Sequence, residues 1–316
     1  MISQIGTYTG LGYFVPTDFF PQLFTALKAH DILFDDDACT VIHSSNGRPL
    51  PVPVAGDTEV VASVVTEAGT QTSVDIDTTG NVVLGAYSYS TPRMVTSLEA
   101  FQDLDANLNA ISLFKRFTAD RIARGVGADL VNGNGTGKTL GLLPSLAAVG
   151  APIVAAAGSS VNTGGVETGV NTLGSNDFAA AFGQLDAAYQ ASDKCAWAMN
   201  SLTLAKISSI VNKQGNQLNL VQYVGGQPFI YGIPVKICPS MDNLGASNVP
   251  VVLGDFSYWA TRLVVDDMAG IKVYTQAPGL AENGKVGLRS FIRAHGALLY
   301  TDTGSPCPFI TVRNHS

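Results

Sequence analysis

Apolar residues recur in three- and four-residue steps over a long central stretch of the chain. The repeating positions are Phe101, Leu104, Leu108, Ile111, Phe114, Phe117, Ile122, Val126 and Leu130. This spacing predicts an amphipathic helix. Thr96 and Glu99 fit a capping box at its start, and Asn132-Gly133 fits its end. With a rise of ~1.5 Å per residue, the helix should be roughly 50 Å long.

The pattern before this helix predicts an extended arm, a short helix and a β-hairpin. Residues 1–16 are rich in Gly, Thr and Tyr and indicate an arm. Thr17 then offers an N-cap for apolar residues at helical spacing, which are Phe20, Leu23, Phe24 and Leu27. Cys39–Ile42 and Leu50–Val54 flank a turn at 46–47 and are typical of a hairpin.

Residues 56 to 92 predict a second and longer hairpin. Its β-rich runs are VVASVV and NVVLGAYSYS, and the polar stretch EAGTQTSVDIDTTG joins them. A two-stranded hairpin is marginally stable alone. We therefore expect this one to lie on a neighbouring subunit.

After the long helix, short helices and short strands are mixed. A connector from 145 to 175 has no strong periodicity, and a helix is predicted from Asn176. A strand at Ala196–Met199 and a helix at Leu202–Val211 follow. The remaining β-rich runs are FIYGIPVKIC, VPVVLGDF, WATRLVV, IKVYTQ and VGLRSFIRAHGALLYTD. Because helices and strands do not alternate as βαβ units, the predicted fold class is α+β.

The composition of the chain argues against several classes of function. The chain has 316 residues, enough for one large or two ordinary domains. Only 14% of residues are charged, which indicates that much of the surface meets other protein. The net charge of −7 argues against tight, sequence-reading DNA binding but leaves loose contact open. The N-terminus MISQIGTYTGLG lacks the features of a signal peptide, and we expect no membrane partner.

One stretch resembles a phosphate-binding loop, which raises a nucleotide-binding enzyme as a distant alternative. The run Gly133–Thr139 ends in Gly-Lys-Thr, but the first required glycine would fall at Asn132. The motif also needs a preceding strand and a following helix. Here a helix is predicted before it, and Leu140–Pro144 is predicted not to open a regular helix at once. We interpret the run as a passive turn.

No catalytic, cofactor or metal site is predicted elsewhere. The four cysteines and four histidines are scattered, and no motif of a hydrolase or zinc protease occurs. Asp35-Asp36-Asp37 could attract a cation, but three consecutive acids are usually a solvated surface. The same holds for Asp266-Asp267, and Asp75 and Asp77 lack the pattern of a calcium loop.

In this order, the predicted elements resemble those of the major capsid proteins of tailed bacteriophages, the Hong Kong 97 fold. Short motifs along nearly the whole chain carry the resemblance. They are Gly12-x-x-Val15-Pro16 in the arm, Glu67 in the hairpin that the family calls the E-loop, a spine helix from Leu98 to Leu130, the turn with Gly133, Gly135, Gly137 and Gly141, Trp197–Asn200, Tyr231–Val235, Gly254-Asp255-Phe256, and Arg293-x-His295-Gly296. Each motif is weak alone, and their common order gives them weight.

The resemblance implies domains and site residues. The expected parts are an N-terminal arm with the first helix at 1–30, the E-loop at 56–92, a peripheral (P) domain from 31–55, 93–144 and 289–316, and an axial (A) domain at 145–288. Structural or assembly roles are expected for Val15, Pro16, Glu67, Gly133, Gly135, Gly137, Gly141, Gly254, Asp255 and Arg293. No cofactor is implied.

The implied function is structural and not enzymatic. Copies would form hexamers and pentamers of an icosahedral phage head around double-stranded DNA, which they contact non-specifically. A scaffolding protein, a portal and decoration proteins are the implied partners. The protein would be part of the virion capsid and would assemble in the host cytoplasm. An encapsulin, which is a bacterial compartment shell, is the alternative, although the extended arm favours the viral version.

Two departures from the family pattern lead to further expectations. Some relatives link their subunits by Lys–Asn isopeptide bonds from an E-loop Lys, but no Lys occurs here between Lys28 and Lys115. We therefore expect a shell without this cross-link. In addition, Met1 leads almost directly into the arm, without the long N-terminal scaffolding region of some relatives. We expect a separate scaffolding protein or a chain that is already trimmed.

Overall fold

The computed structural model describes residues 31–54, 80–99, 110–154, 173–210, 216–245, 247–264, 270–274, 279–301 and 306–314, together with residues 23, 25–28 and 64. The helices are α1 (Ala110–Asn132), α2 (Leu142–Ala148), α3 (Ser175–Gln184), α4 (Ala187–Gln190) and α5 (Ser201–Ser208). The strands are β1 (Thr40–Ser44), β2 (Leu50–Val54), β3 (Gly80–Leu84), β4 (Tyr87–Ser90), β5 (Met94–Ser97), β6 (Ile153–Val154), β7 (Cys195–Met199), β8 (Gln222–Val224), β9 (Gln227–Ile230), β10 (Ile233–Ile237), β11 (Val251–Asp255), β12 (Trp259–Val264), β13 (Gly270–Tyr274), β14 (Lys285–Leu298) and β15 (Phe309–Val312).

The long strand β14 organises a six-stranded sheet. One edge of β14 pairs with β12 and β13, the other edge pairs with β4 and β5, and β1 extends the sheet beyond β12. Side chains on one face of β14, such as Leu288 and Ile292, are buried in the larger of two cores. The long helix α1 covers this face, because its Val126 and Leu130 belong to the same core. Gly296 allows the close approach, since a Cβ there would collide with Leu130 and Trp259.

A seven-stranded sheet has the order β6-β15-β11-β7-β10-β9-β8. Its central strands β7 and β11 are buried at every residue. Ala196 and Ala198 of β7 face the larger core, whereas Trp197 and Met199 face the second core. Small side chains therefore point to one side and large ones to the other. The two cores share these strands as a wall.

The sequence analysis did not identify strand β15. It joins the seven-stranded sheet between β6 and β11, so the last described part of the chain pairs with the middle of the chain. Phe309 at its start packs edge-on against Phe256, with 5.3 Å between the ring centroids. A Cβ at Gly254 would collide with Phe309 and Pro308, so β11 needs glycine where β15 crosses it.

Several predictions are confirmed. Helix α1 ends at Asn132, and helices near Asn176 and Leu202 are present as α3 and α5. Leu23 and Leu27 lie in a helical segment and are fully buried. The mixed arrangement of helices and strands confirms the α+β class. Of the spine helix predicted from Leu98 to Leu130, residues 98–99 and 110–132 are helical, and residues 100–109 lie outside the described residues.

The predicted hairpin between Cys39–Ile42 and Leu50–Val54 is wrong. Both segments are strands, but β1 pairs in parallel with β12, and β2 pairs with β3. The chain does bend at residues 45–46. This bend does not close a hairpin, and an arginine side chain binds carbonyl groups of the same segment, as described below.

Two helix starts also differ from the predictions. Thr96 does not cap the long helix, because β5 continues to Ser97 and pairs Thr96 with Val286 of β14. Leu142 opens helix α2, although Leu140–Pro144 was predicted not to start a helix. Pro144 lies in the first turn of α2, where backbone N–H groups have no partner within the helix. A proline is tolerated there.

The run FIYGIPVKIC, predicted as one strand, forms a hairpin instead. Strands β9 and β10 are joined at Tyr231 and Gly232, whose φ angles are 50° and 78°. Two successive residues with positive φ are typical of a type I′ turn. The Tyr-Gly pair was the available signal, because glycine is common at the second position of such turns.

The packing at Gly296 leads to a stability prediction. The Gly296→Ala substitution should destabilise the protein by about 1–3 kcal/mol, because the new methyl group has no space between Leu130 and Trp259. Urea unfolding of the unassembled protein would measure this. Gly125→Ala in α1 is the control, because a Cβ there meets no atom within 4 Å. This control should stabilise the protein by up to about 1 kcal/mol. Equal stability of both variants would contradict the prediction.

Candidate assembly site

The β2–β3 pair is a two-stranded sheet, here called the ribbon. It contains Leu50–Val54 and Gly80–Leu84, with Leu50 opposite Leu84 at its root and Val54 opposite Gly80 at its other end. Arg262 of β12 holds the root. Its Nη1 atom donates hydrogen bonds to the carbonyl oxygens of Arg48 and Leu84, both at 2.7 Å. One side chain thus fixes the end of β3 and the segment just before β2 to the six-stranded sheet.

The remaining donors of Arg262 hold the turn before the ribbon. Its Nη2 donates to the Asn46 carbonyl oxygen at 2.8 Å, and its Nε donates to the Ser44 Oγ at 2.9 Å. Arg262 is only 1% exposed. Carbonyl and hydroxyl dipoles therefore replace the water around its charge. Burial and the nearby Arg293 guanidinium lower the pKa of Arg262, but an arginine side chain keeps its charge in proteins.

Arg293 and His295 complete the surface beneath the ribbon. Both lie on the face of β14 opposite the core, and Arg293 contacts the turn at Gly47. The His295 ring stacks on Tyr87 with 5.4 Å between the centroids. Burial and the neighbouring Arg262 charge lower the pKa of His295. At neutral pH this histidine is therefore uncharged, and it adds no positive charge beside Arg262 and Arg293.

The glycine-rich loop after α1 is a closed turn. Gly133 N–H donates to the Asp129 carbonyl, and Gly141 N–H donates to the Gly133 carbonyl, both at 2.8 Å. A Cβ at Gly133 or Gly141 would collide with backbone atoms. Gly135 and Gly137 have φ angles of 76° and 69°, in the left-handed region that favours glycine. At each of the four positions the turn therefore needs glycine, either because a Cβ has no space or because φ is positive.

The Lys and Thr of this loop have partners within the protein. Lys138 Nζ lies 2.7 Å from a carboxylate oxygen of Asp129. The buried Thr139 hydroxyl donates to the Gly296 carbonyl at 2.8 Å and accepts from the Gly296 N–H at 3.0 Å. In a nucleotide-binding loop, the Lys would contact phosphate and the Thr a magnesium ion. Here Thr139 instead ties the loop to β14, so the geometry does not fit a nucleotide site.

The structure describes two of the remaining predicted site residues and leaves three outside the described residues. Gly254 and Asp255 lie at the end of β11, where the Asp255 carboxylate accepts from the Ser257 N–H at 2.9 Å and caps a short 3-10 turn. Val15, Pro16 and Glu67 lie outside the described residues. Their roles stay predictions.

Within the described part of the chain, two buried thiols are protonated and two carboxylates of an acidic run are paired with lysines. Burial raises the pKa of Cys39 and of Cys195 to about 12, so both thiols stay protonated at neutral pH. No group of three metal-ligating side chains occurs among the described residues. In the acidic run, Asp36 pairs with Lys28 at 2.6 Å, and Asp35 lies 3.8 Å from Lys236. No helix among the residues searched is long and apolar enough to cross a membrane.

The outer face of α1 is basic. Arg116, Arg121 and Arg124 are all exposed, with Asp120 between them. Among the described residues, none of these arginines lies within 4 Å of a carboxylate. They lie on the side of the six-stranded sheet opposite the ribbon, because α1 packs on the core face.

Sequence reasoning missed Arg262. The run WATRLVV was read correctly as a strand, but its single charged residue was given no role. A single charge within an otherwise uncharged and mostly apolar strand was the available signal, since a buried arginine needs several acceptors. Nothing in the sequence showed which acceptors it would use.

Comparison with known proteins places this geometry in a known family. A model of the phage capsid family matches residues 11–303. The search of curated proteins found no match. Among solved structures, the capsid of a native GTA particle aligns with a TM-score of 0.63 and 17% identity, covering 89% of each chain. A structure of Mycobacterium phage Cain aligns with a TM-score of 0.58 and 17% identity, covering 90% of each chain. The procapsid of satellite phage P4 aligns with a TM-score of 0.55 and 11% identity, covering 92% of this chain and 97% of that chain.

Arg262 provides a test of the ribbon's attachment. Arg262→Met should destabilise the protein by on the order of 3 kcal/mol, because several inward-facing carbonyl groups lose their donors. Hydrogen exchange should accelerate most at amides of β2 and β3. Arg262→Lys should show a smaller effect, since it keeps the charge but lacks the planar fork. Arg124→Met, on the exposed helix face, is the control. Uniform acceleration across both sheets would contradict a local role.

The loop provides a second test, based on backbone angle alone. No atom lies within 4 Å of a Cβ built at Gly137, so only its φ of 69° restricts substitution. Gly137→Val should destabilise the protein by about 1–3 kcal/mol, whereas Gly137→Asn should cost clearly less because asparagine tolerates this region. Thermal unfolding of the unassembled proteins would compare them. If valine and asparagine were equally tolerated, the loop would not depend on this angle.

Proposed function

The chain belongs to the phage capsid family and is a structural major capsid protein, and from this premise we propose how its copies build a shell. Hexamers and pentamers of the chain close into an icosahedral head that encloses double-stranded DNA. Contacts between subunits, and no catalytic site, carry the function. Ring-shaped capsomers need heterologous contacts, in which different surfaces of neighbouring copies meet and the rotation closes.

The ribbon is the observation that best supports this proposal. Arg262 fixes its root, so the direction of the ribbon is determined by the rigid six-stranded sheet. Between the ribbon strands, the described residue Val64 is 99% exposed. Exposure of an apolar valine side chain to water is unfavourable, and its burial against another molecule lowers the free energy. A neighbouring subunit of the shell supplies that surface.

The basic face of α1 supports contact with DNA. Arg116, Arg121 and Arg124 can reach phosphates without reading bases. With a net charge of −7 on the chain, a few exposed arginines give weak contact that does not depend on sequence. This suits DNA that must be packed and later released. The face opposite the ribbon would then point towards the interior of the head.

Other partners follow from the proposed head. We propose that a scaffolding protein guides assembly, that a portal occupies one vertex, and that assembly takes place in the host cytoplasm. Decoration proteins on the outer surface are a further proposal. Because no Lys lies between Lys28 and Lys115, the E-loop cannot supply the lysine of an isopeptide bond. The shell is therefore held by non-covalent contacts at this hairpin.

Electron microscopy of particles made from the full chain tests the proposal. We expect closed shells with fivefold and sixfold capsomers, and a single band of monomer mass on denaturing gels. Particles from infected cells should contain nuclease-protected double-stranded DNA. Monodisperse monomers under all assembly conditions would overturn the capsid function. Shells that always lack nucleic acid would instead favour a compartment, and ladders of covalent multimers would contradict the non-covalent shell.

A further inference from the structure

The segment between β1 and β2 contains an asparagine followed by a glycine, and the side chain and backbone of such a pair can react with each other. The chain contains four Asn-Gly pairs, at residues 46–47, 132–133, 134–135 and 283–284. Glycine leaves the amide nitrogen after the asparagine sterically open, because it has no Cβ. The surroundings of the four pairs differ, and these differences decide which pair reacts fastest.

Two donors hold the carbonyl group of the peptide between Asn46 and Gly47. The Arg262 Nη2 donates to the Asn46 carbonyl oxygen at 2.8 Å, and the Ser44 hydroxyl donates to the same oxygen at 3.2 Å. Because a peptide group shares its electrons between oxygen and nitrogen, donors at the oxygen make the Gly47 N–H more acidic. The Arg293 guanidinium also lies against Gly47, since it would collide with a Cβ there. Negative charge that forms on the Gly47 nitrogen is therefore stabilised.

The Asn46 side chain is held over the peptide that follows it. Its Oδ1 atom accepts a hydrogen bond from the Arg48 N–H at 3.3 Å, the arrangement of an Asx turn. When the side-chain carbon is attacked, this N–H can stabilise the negative charge that forms on the oxygen. Asn46 is exposed, so water can reach it. Among the described residues, the Gly47 N–H has no acceptor that would compete with the reaction.

The other three pairs lack this combination. Gly133 and Gly135 both donate their N–H groups to backbone carbonyl oxygens, at 2.8 Å and 3.2 Å, and these bonds must break before either nitrogen can attack. Asn283 is exposed, as Asn46 is. Its own side chain donates to the Gly279 carbonyl at 2.9 Å, and no arginine of the described part of the chain donates to its carbonyl oxygen. Asn283 is therefore the matched comparison for Asn46.

The geometry points to Asn46 as a site of self-modification, at which the chain converts its own amide into a carboxylate. The Gly47 nitrogen bonds to the Asn46 Cγ, the Cγ–Nδ2 bond breaks, and ammonia leaves with the proton of the Gly47 N–H. Water then opens the five-membered ring at either carbonyl, which gives aspartate or its isomer with the backbone running through the side chain. The new carboxylate lies near Arg262 and Arg293 and reduces the repulsion between these two cations. The reaction needs no partner and is independent of the proposed assembly.

Peptide mapping of the folded full chain, stored at neutral pH in heavy-oxygen water, tests the inference. The oxygen label distinguishes conversion during storage from conversion during later sample preparation in ordinary water. We expect residue 46 to become an acid with a labelled oxygen about tenfold faster than residue 283, because a charged donor holds the reacting peptide. Asn132 and Asn134 should remain amides. A rate at Asn46 equal to or below the rate at Asn283 overturns the inference.

Two variants separate activation by the donors from simple mobility of the segment. Arg262→Lys removes the guanidinium donor and Ser44→Ala removes the hydroxyl donor, and each should slow the conversion of Asn46 about threefold or more. Arg124→Met, on the exposed face of α1, is the control and should react at the unmodified rate. Circular dichroism checks that each variant is folded. An unchanged or faster conversion of Asn46 in the folded Ser44→Ala and Arg262→Lys variants overturns the role of these donors.

Discussion

The buried guanidinium of Arg262 is the interaction on which the arrangement of the outer elements depends. A charge at this depth is costly unless several dipoles surround it. The required carbonyl groups come from Asn46 and Arg48, between β1 and β2, and from Leu84 and Gly85 at the end of β3. The hydrogen bonds that this one buried charge needs therefore determine where two separate segments lie. Strands β1 and β2 do not pair with each other, because β1 pairs with β12 and β2 pairs with β3.

Beneath this attachment, two cores share one wall. Strand β7 sends Ala196 and Ala198 into the larger core and Trp197 into the second, while β11 sends Val252 into the larger core and Leu253 into the second. The strand β15 then closes the wall from the end of the chain. Both cores therefore depend on residues of these strands. The six-stranded sheet, packed on the larger core, can therefore hold the ribbon in a fixed direction.

The sequence allowed the long helix, its end at Asn132 and most buried strands to be predicted, because each depends on local periodicity or on a local stop signal. It also allowed the glycine loop to be interpreted as a turn, and the contacts of Lys138 and Thr139 agree with that interpretation. The pairing of strands that are distant in sequence could not be predicted from such local signals. The partner of β2 is β3, across residues 55–79, and the acceptors of Arg262 come from distant segments. The start of α2 was missed for another reason: a proline in the first turn does not prevent a helix.

The length of β14 has a mechanical consequence. Its backbone hydrogen bonds lie perpendicular to the strand and join neighbours on both edges. A pull along β14 would load many of these bonds at once in shear, whereas a pull across the sheet would break them one after another. In the proposed head, outward pressure from packed DNA would stretch the shell within its own plane. Where β14 lies in that plane, each subunit resists the stretch in its stiffest direction.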